Sequence, residues 1–363
     1  MRALVLCCIV SLPAAAKTLV VHPGESIQAA VDRAGSGDRV LVLAGTYREA
    51  VVVNRDGITL ESKGATLVNP GAQALGIAFA PPHADRTTCL GSRSGRLQGA
   101  TARGFTVRGF RIGIFFLCAE NVVAEENTTV DNTVYGVFPS HVVGGRISRN
   151  HASGANDTGI YIGQSRNVRV EDNVAQDNTS GFEVENSSGV TVRRNLATGN
   201  TAGFLTFTLP DLDVPVNSGN TIEDNVSAFN NRDACTPGED VDIVCLVPSG
   251  TGILAIAVQG NVIRRNLVVG NRSFGIALAD YCSSAPDPRC GNPPDPSLGI
   301  DPLPNGNRIS DNVAVKNGGN PDTSRIPAAF ASDLFWTGAG ERNCWSRNVA
   351  QHVVSPVPLP ACR

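Results

Sequence analysis

Asparagine recurs at a fixed spacing along the middle of this chain, and that recurrence limits what the chain can fold into. "RVEDNVAQDN" (Arg169–Asn178) is followed at once in kind by "TVRRNLATGN" (Thr191–Asn200), each ending in Asn-x4-Asn. The pair appears at Asn127/Asn132, Asn173/Asn178, Asn195/Asn200, Asn225/Asn230, Asn266/Asn271 and Asn312/Asn317; Asn150 keeps the first member, with Asn156 displaced by one. First members lie 23, 23, 22, 30, 41 and 46 residues apart, which reads as one unit carrying insertions in its later copies. A repeat of this length is one supersecondary unit that buries its apolar face only by stacking on its neighbours.

Within each unit the apolar residues alternate. Val168 and Val170, then Phe182 and Val184, share one side; the next unit offers Val190, Val192, Phe204 and Thr206. Period two is the strand signal, and the helical period is missing. The expected fold class is therefore all-β, a single solenoid of stacked parallel coils with two strands around each asparagine pair. The asparagines are expected at the sharp turns, tolerating positive φ and hydrogen-bonding coil to coil. The exception to strand patterning is "ESIQAAVDRAGSGDRVLVL", where Ser26 is placed to cap a helix with Ile27, Ala30, Val31 and Ala34 on one face. That helix is expected to cover the open N-terminal end of the solenoid.

The first residues read as an export signal spanning 1–16: Arg2, an apolar run Ala3–Leu12, and Ala14-Ala15-Ala16. The run is too short to span a bilayer. Export makes the protein secreted or periplasmic, and the eight cysteines beyond the signal then favour disulfides, with sequence proximity suggesting 89–118, 235–245, 282–290 and 344–362. The net charge of −3 and the absence of any basic run exclude a nucleic-acid footprint. A monomer of one domain over 17–363 is expected, with insertions near 208–217, 233–249 and 280–305.

The opening "SIQAAVDRAGSGDRVLVLAGTY", with the Asn-punctuated coils "GIYIGQSRNVRVEDN" and "GFEVENSSGVTVRRN", resembles the pectin-lyase-like superfamily of right-handed parallel β-helices. "DLFWTGAGERNCWS" (Asp333–Ser346) adds to the resemblance, which covers nearly all of the chain after the signal. It implies a fold, and a polysaccharide ligand along a groove on the solenoid. It implies no single reaction, because that superfamily holds lyases, hydrolases, epimerases and sugar-binding proteins. Asp-Pro-His-Asp, adjacent Asp-Asp, Gly-His-Gly and Arg-x-Pro-x-x-Arg runs, associated with particular activities there, are absent.

Candidate chemistry follows from aligning the coils on Gly136, Gly159, Gly181, Gly203, Gly252 and Gly275. Two residues on stand Phe138, Tyr161, Glu183, Leu205, Leu254 and Ala277; four on stand Ser140, Gly163, Glu185, Phe207, Ile256 and Ala279. Both columns are expected to face outward, an apolar strip that either the insertions or a ligand must cover. Glu183 and Glu185 interrupt it and are the candidate acid–base pair, or else surface carboxylates held by Arg193 and Arg194. Tyr161, His141 and Asp157 are further catalytic candidates, expected to converge from neighbouring coils; Phe138, Tyr135 and Phe207 are candidate sugar-contacting residues. His151 is expected to point inward. Asp211 and Asp213, or Glu239, Asp240 and Asp242, could bind Ca²⁺. No histidine cluster supports zinc or copper. The alternative to an enzyme is a non-catalytic exported scaffold or accessory protein.

Overall fold

The computed structural model describes residues 15–82, 84, 89–90, 95–233, 243–285 and 287–363. The chain winds as a parallel β-helix. Among the described residues the strands form one sheet of 22 and one of 11, and the pairings all run parallel, coil to coil. A middle coil shows the plan: strands Arg166–Glu171, Val174–Gln176 and Ser180–Glu185 pair with Thr191–Arg193, Leu196–Thr198 and Ala202–Phe207 of the next. Each coil thus has three strands, not two. The short third strand lies between the two asparagines of a pair, where three residues are too few for alternation to be recognised.

Residues at matched positions stack inward. Ile160, Phe182, Phe204, Ile253 and Ile276 form one file of the core, and Ala152, Ala175, Ala197, Ser227, Val268 and Ala314 another. Phe182 and Phe204 stack with centroids 4.8 Å apart, the spacing of adjacent strands. The helix at the N-terminal end, Ile27–Arg33, packs on the first strands, and Ser26 Oγ accepts from Ala29 N–H at 3.2 Å.

The asparagine columns do hydrogen-bond up the solenoid. Asn127, Asn150, Asn173, Asn195, Asn225, Asn266, Asn312 and Asn348 form one ladder, each amide donating to the next Oδ1 at 2.9–3.0 Å. A second runs Asn178, Asn200, Asn230, Asn271, Asn317 and ends on Asp333. A third, Asn220, Asn261, Asn307 and Asn343, stands five residues before Asn225, Asn266, Asn312 and Asn348 and so extends the same Asn-x4-Asn spacing by one step. Ala155, not Asn156, occupies the second column in its coil and donates its N–H to Asn178.

The expected backbone role is corrected. The ladder asparagines are not the residues at positive φ. The residue before each one is: Glu126, Arg149, Asp172, Arg194, Asp224, Arg265, Asp311 and Arg347, all between 52° and 59°. That residue turns the chain outward-facing, which frees the asparagine amide to point in and satisfy backbone groups of the turn. These eight residues also alternate in charge. Glu126–Arg149, Asp172–Arg194, Asp224–Arg265 and Asp311–Arg347 are ion-paired at 2.6–3.0 Å.

Cys89–Cys118, Cys282–Cys290 and Cys344–Cys362 are disulfides. The expected partner of Cys245, Cys235, lies outside the described residues, as do residues 1–14 of the expected signal. His151 is corrected as well. It pairs in register with Val174, and this column, including Leu267 at 42% and Val313 at 39% exposure, faces outward. The inward residue of that strand is its neighbour Ala152.

Candidate active-site cleft

The glycine column opens the 11-stranded sheet for a steric reason. A Cβ on Gly181 would sit 2.7 Å from the Gly203 carbonyl oxygen and 3.1 Å from Asn200 Nδ2. Glycine therefore holds each strand against the asparagine ladder, and the residues two and four positions on project from the sheet's outer face. The register aligns Phe138 beside Phe115, and then Tyr161, Glu183, Leu205, Leu254, Ala277 and Phe335 in one file. Both expected columns do face outward, and they floor a cleft of about 530 Å³.

Segments between the coils wall this cleft. Leu209 and Leu212 come from the 208–217 insertion, Val244 and Val247 from the segment before Thr251, Tyr281 and Ala285 from that after Ala279, and Ile326 and Phe330 from that before Ser332. The apolar strip is thus flanked by the protein's own loops, which leave the cleft between them.

Asp157, Glu183, Glu185, Tyr161, Tyr135, Phe138 and Phe207 all line the cleft. Glu183 is 5% and Glu185 7% exposed. Glu185 accepts a hydrogen bond from Tyr161 Oη, and Asp157 Oδ1 accepts from Thr158 Oγ1 at 2.9 Å. Glu183 Oε1 is buried with no hydrogen-bond partner among the described residues. Burial pushes the Glu183 carboxyl well above the ordinary glutamate range, and the negative charge of Asp157 adds to the effect. Burial likewise pushes the Tyr161 phenol upward, reinforced by Glu185. A carboxyl whose burial favours its protonated form, beside a carboxylate hydrogen-bonded by a phenol, is the pattern of an acid–base pair.

Several expectations change here. Arg193 and Arg194 do not hold the glutamate pair; they bind Glu171 and Asp172 on another face. His141 is not among the residues lining the cleft. Its ring lies between Ser140 Oγ, 2.9 Å from Nδ1, and Asp213 Oδ2, 3.3 Å from Nε2. It follows the exit of its strand, whereas Asp157 precedes the entrance of the next, roughly 20 Å away along the strand by its rise per residue. His141 and Asp157 therefore do not converge. Tyr161 is buried, and its ring forms a three-ring cluster with Tyr135 and Phe138, the centroids 4.6–4.8 Å apart.

The far half of the cleft was less legible. Phe274 and Phe335, 5.1 Å apart, escaped the glycine alignment for different reasons. Phe274 stands before its glycine, in the column of Tyr135. Phe335 belongs to a coil in which Asp333 replaces the glycine.

Calcium at Asp211 and Asp213 is not supported. Asp211 pairs with Arg289 at 2.8 Å, while Asp213 reaches His141. Glu239, Asp240 and Asp242 lie outside the described residues. No group of three or more His, Cys, Asp or Glu suited to a metal ion occurs among the described residues, and no helix there is long and apolar enough to cross a membrane.

These features define a right-handed parallel β-helix protein with a lateral cleft on its shorter sheet. The chain belongs to the family described as periplasmic copper-binding protein (NosD), whose pattern matches residues 36–243 and 141–285. No curated relative matches the sequence. Among solved structures, it is similar to the mannuronan C-5 epimerase AlgE4 A-module of Azotobacter vinelandii, at 17% identity over 92% of this chain and 93% of that one, with a TM-score of 0.63. The periplasmic alginate epimerase AlgG gives 16%, 88%, 70% and 0.61 for the same quantities. An alginate lyase from Paenibacillus sp. str. FPU-7 gives 13%, 93%, 99% and 0.56. At these identities the likeness is one of fold.

Among the described residues, which do not include His83 and Cys235, the copper in the family's description finds no fitting donor set. Copper sites draw on imidazole nitrogen and on thiolate or thioether sulfur. The sole methionine is Met1. His22 and His352 are exposed and remote in the fold, His151 faces outward, and His141 is engaged by Asp213 and Ser140. The described cysteines are in disulfides.

Proposed function

We propose that this is an exported, monomeric β-helix protein that binds a saccharide in the lateral cleft and hydrolyses a glycosidic bond there. The observation that carries the proposal is Glu183. A buried carboxyl with one oxygen lacking a hydrogen-bond partner in a cleft is costly to folding and is retained where a ligand completes its hydrogen bonding. Glu183 gives its proton to the leaving glycosidic oxygen. Glu185, oriented by Tyr161, takes a proton from water, whose oxygen adds to the anomeric carbon. Residues i and i+2 on a strand are about 6.5–7 Å apart at the backbone, compatible with a water between two carboxyls.

Two features favour a neutral saccharide over a uronate. The described lining carries Asp157, Glu183 and Glu185 against Arg325 as its cation. A uronate carboxylate would meet like charges beside the acid–base pair. Tyr161, held as a donor, is also poorly suited to removing a sugar C5 proton. The export signal, the disulfides and the periplasmic family description support an extracytoplasmic site of action.

The test is a screen of the purified protein on neutral and uronate-containing oligosaccharides, reading new reducing ends for hydrolysis and ultraviolet absorbance for unsaturated lyase products. Reducing ends from neutral substrates, lost in Glu183→Gln and Glu185→Gln at an unchanged melting temperature, are expected. Binding without turnover would move the protein to the accessory class. Absence of both would leave the scaffold reading.

A further inference from the structure

The cleft has two chemically different halves. At one end stand Asp157, Glu183, Glu185 and Tyr161. Beyond Leu205 the floor and walls become Leu254, Phe274, Phe335, Val247 and Ile326, which pack with one another as a cluster separate from the solenoid core. The register puts Phe335 four coils from Glu183, roughly 19 Å at the spacing of adjacent strands.

Sugar rings present hydroxyls all round their rims, and each needs a partner when it leaves water. The acidic half supplies such partners. The apolar half supplies few, with Arg325, Ser283 and Thr337 at its margins. A plain oligosaccharide extended along the file would therefore bury hydroxyls against leucine and phenylalanine. An alkyl, acyl or aryl group would instead gain from the same surfaces. The volume of about 530 Å³ suits a ligand of limited size, within the roughly 300–1,000 Å³ common for small-molecule sites.

We propose that the ligand is a glycoconjugate, with a saccharide at the carboxylates and a covalently attached apolar group in the Leu254–Phe335 half. This rests on the hydrolase reading for the position of the sugar and adds the nature of its substituent. With Glu183 as acid, the bond broken joins the sugar to that group, so the apolar portion leaves as an alcohol and the sugar as a reducing end.

Calorimetric titration of the full protein with paired methyl and hexyl glycosides of glucose, galactose, mannose and N-acetylglucosamine tests this, each hexyl compound kept below its micelle concentration. For at least one sugar the hexyl glycoside is expected to bind tenfold or more tightly than the methyl one, with a negative heat-capacity change. Leu254→Gln is expected to erase that difference; Val247→Gln, on a wall segment outside the coil frame, provides the same test if the first variant fails to fold. Equal affinities for hexyl and methyl glycosides would overturn the inference while leaving a saccharide site. Binding of hexanol without binding of any glycoside would overturn both.

Discussion

Glu183 is a single side chain whose protonation couples the cleft to the stability of the fold. Its folded-state pKa lies above the ordinary 4.5, with burial as the main cause and Asp157 next. A group raised in this way contributes its stability fully below the unfolded value, and loses it as pH rises through the folded value. Wild-type protein is therefore expected to lose melting temperature relative to Glu183→Gln as pH rises above the ordinary glutamate range, since the variant has no proton to release there. Paired melting curves across that rise check it; parallel curves would mean that the carboxyl titrates normally. At this scale the sequence was partly legible. Glu183, Glu185, Asp157 and Tyr161 could be grouped because strand alternation places them on one face. His141 could not be excluded, because only the fold shows that Asp213, from an insertion, takes its ring. Nor could alternation alone show that Tyr161 packs into a three-ring cluster with Tyr135 and Phe138.

At the scale of the coil, the asparagine ladder is the main polar constraint. Asn195 Nδ2 satisfies the Val170 carbonyl at 3.0 Å, while its Oδ1 accepts from both the backbone and side-chain N–H of Asn173 at 2.9 Å. Asn195→Ala leaves these buried groups without partners and is expected to cost about 3 kcal/mol, measurable by urea unfolding. Substitution of Asn156, which lies outside the column, is expected to cost far less. The ladder was readable from the five-residue offset within each coil, which survives insertions between coils. The third column keeps that offset ahead of the first, at Asn220, Asn261, Asn307 and Asn343, and was legible in the same way, though only the pair was recognised. The short strand between paired asparagines was missed because three residues cannot display a period. The positive-φ position was misplaced by one residue, since sequence shows which residue tolerates a turn more readily than which one occupies it.

For the whole molecule, the ends need protection, because parallel coils leave unpaired strand edges. The helix Ile27–Arg33 covers one end. At the other, Cys344–Cys362 returns the final residues to the last coil, where Trp345 pairs with Ala361. Cys362→Ser is expected to lower stability by about 3 kcal/mol and to promote self-association, seen by light scattering at temperatures where the parent remains clear. Solenoid and helical cap were readable at this scale, because repetition and terminal patterning survive insertions. Of the cleft walls, the insertions at 208–217 and 233–249 were expected from the apolar strip beside them; those after Ala279 and before Ser332 were not, since loops carry no period.

The charges preceding the asparagines have a consequence for how such a chain grows or shrinks. Glu126, Arg149, Asp172, Arg194, Asp224, Arg265, Asp311 and Arg347 give the solenoid a parity: its electrostatic repeat is two turns, although its backbone repeat is one. Excising residues 172–193 removes one turn and sets Arg149 beside Arg194. Excising residues 172–223 removes two and sets Arg149 beside Asp224, restoring an attractive neighbour. The longer deletion is therefore expected to cost less stability per turn removed than the shorter one, by urea unfolding at low salt, with the gap narrowing as salt screens the column. Duplication or loss of coils in such a protein is then tolerated more readily in even numbers than in odd.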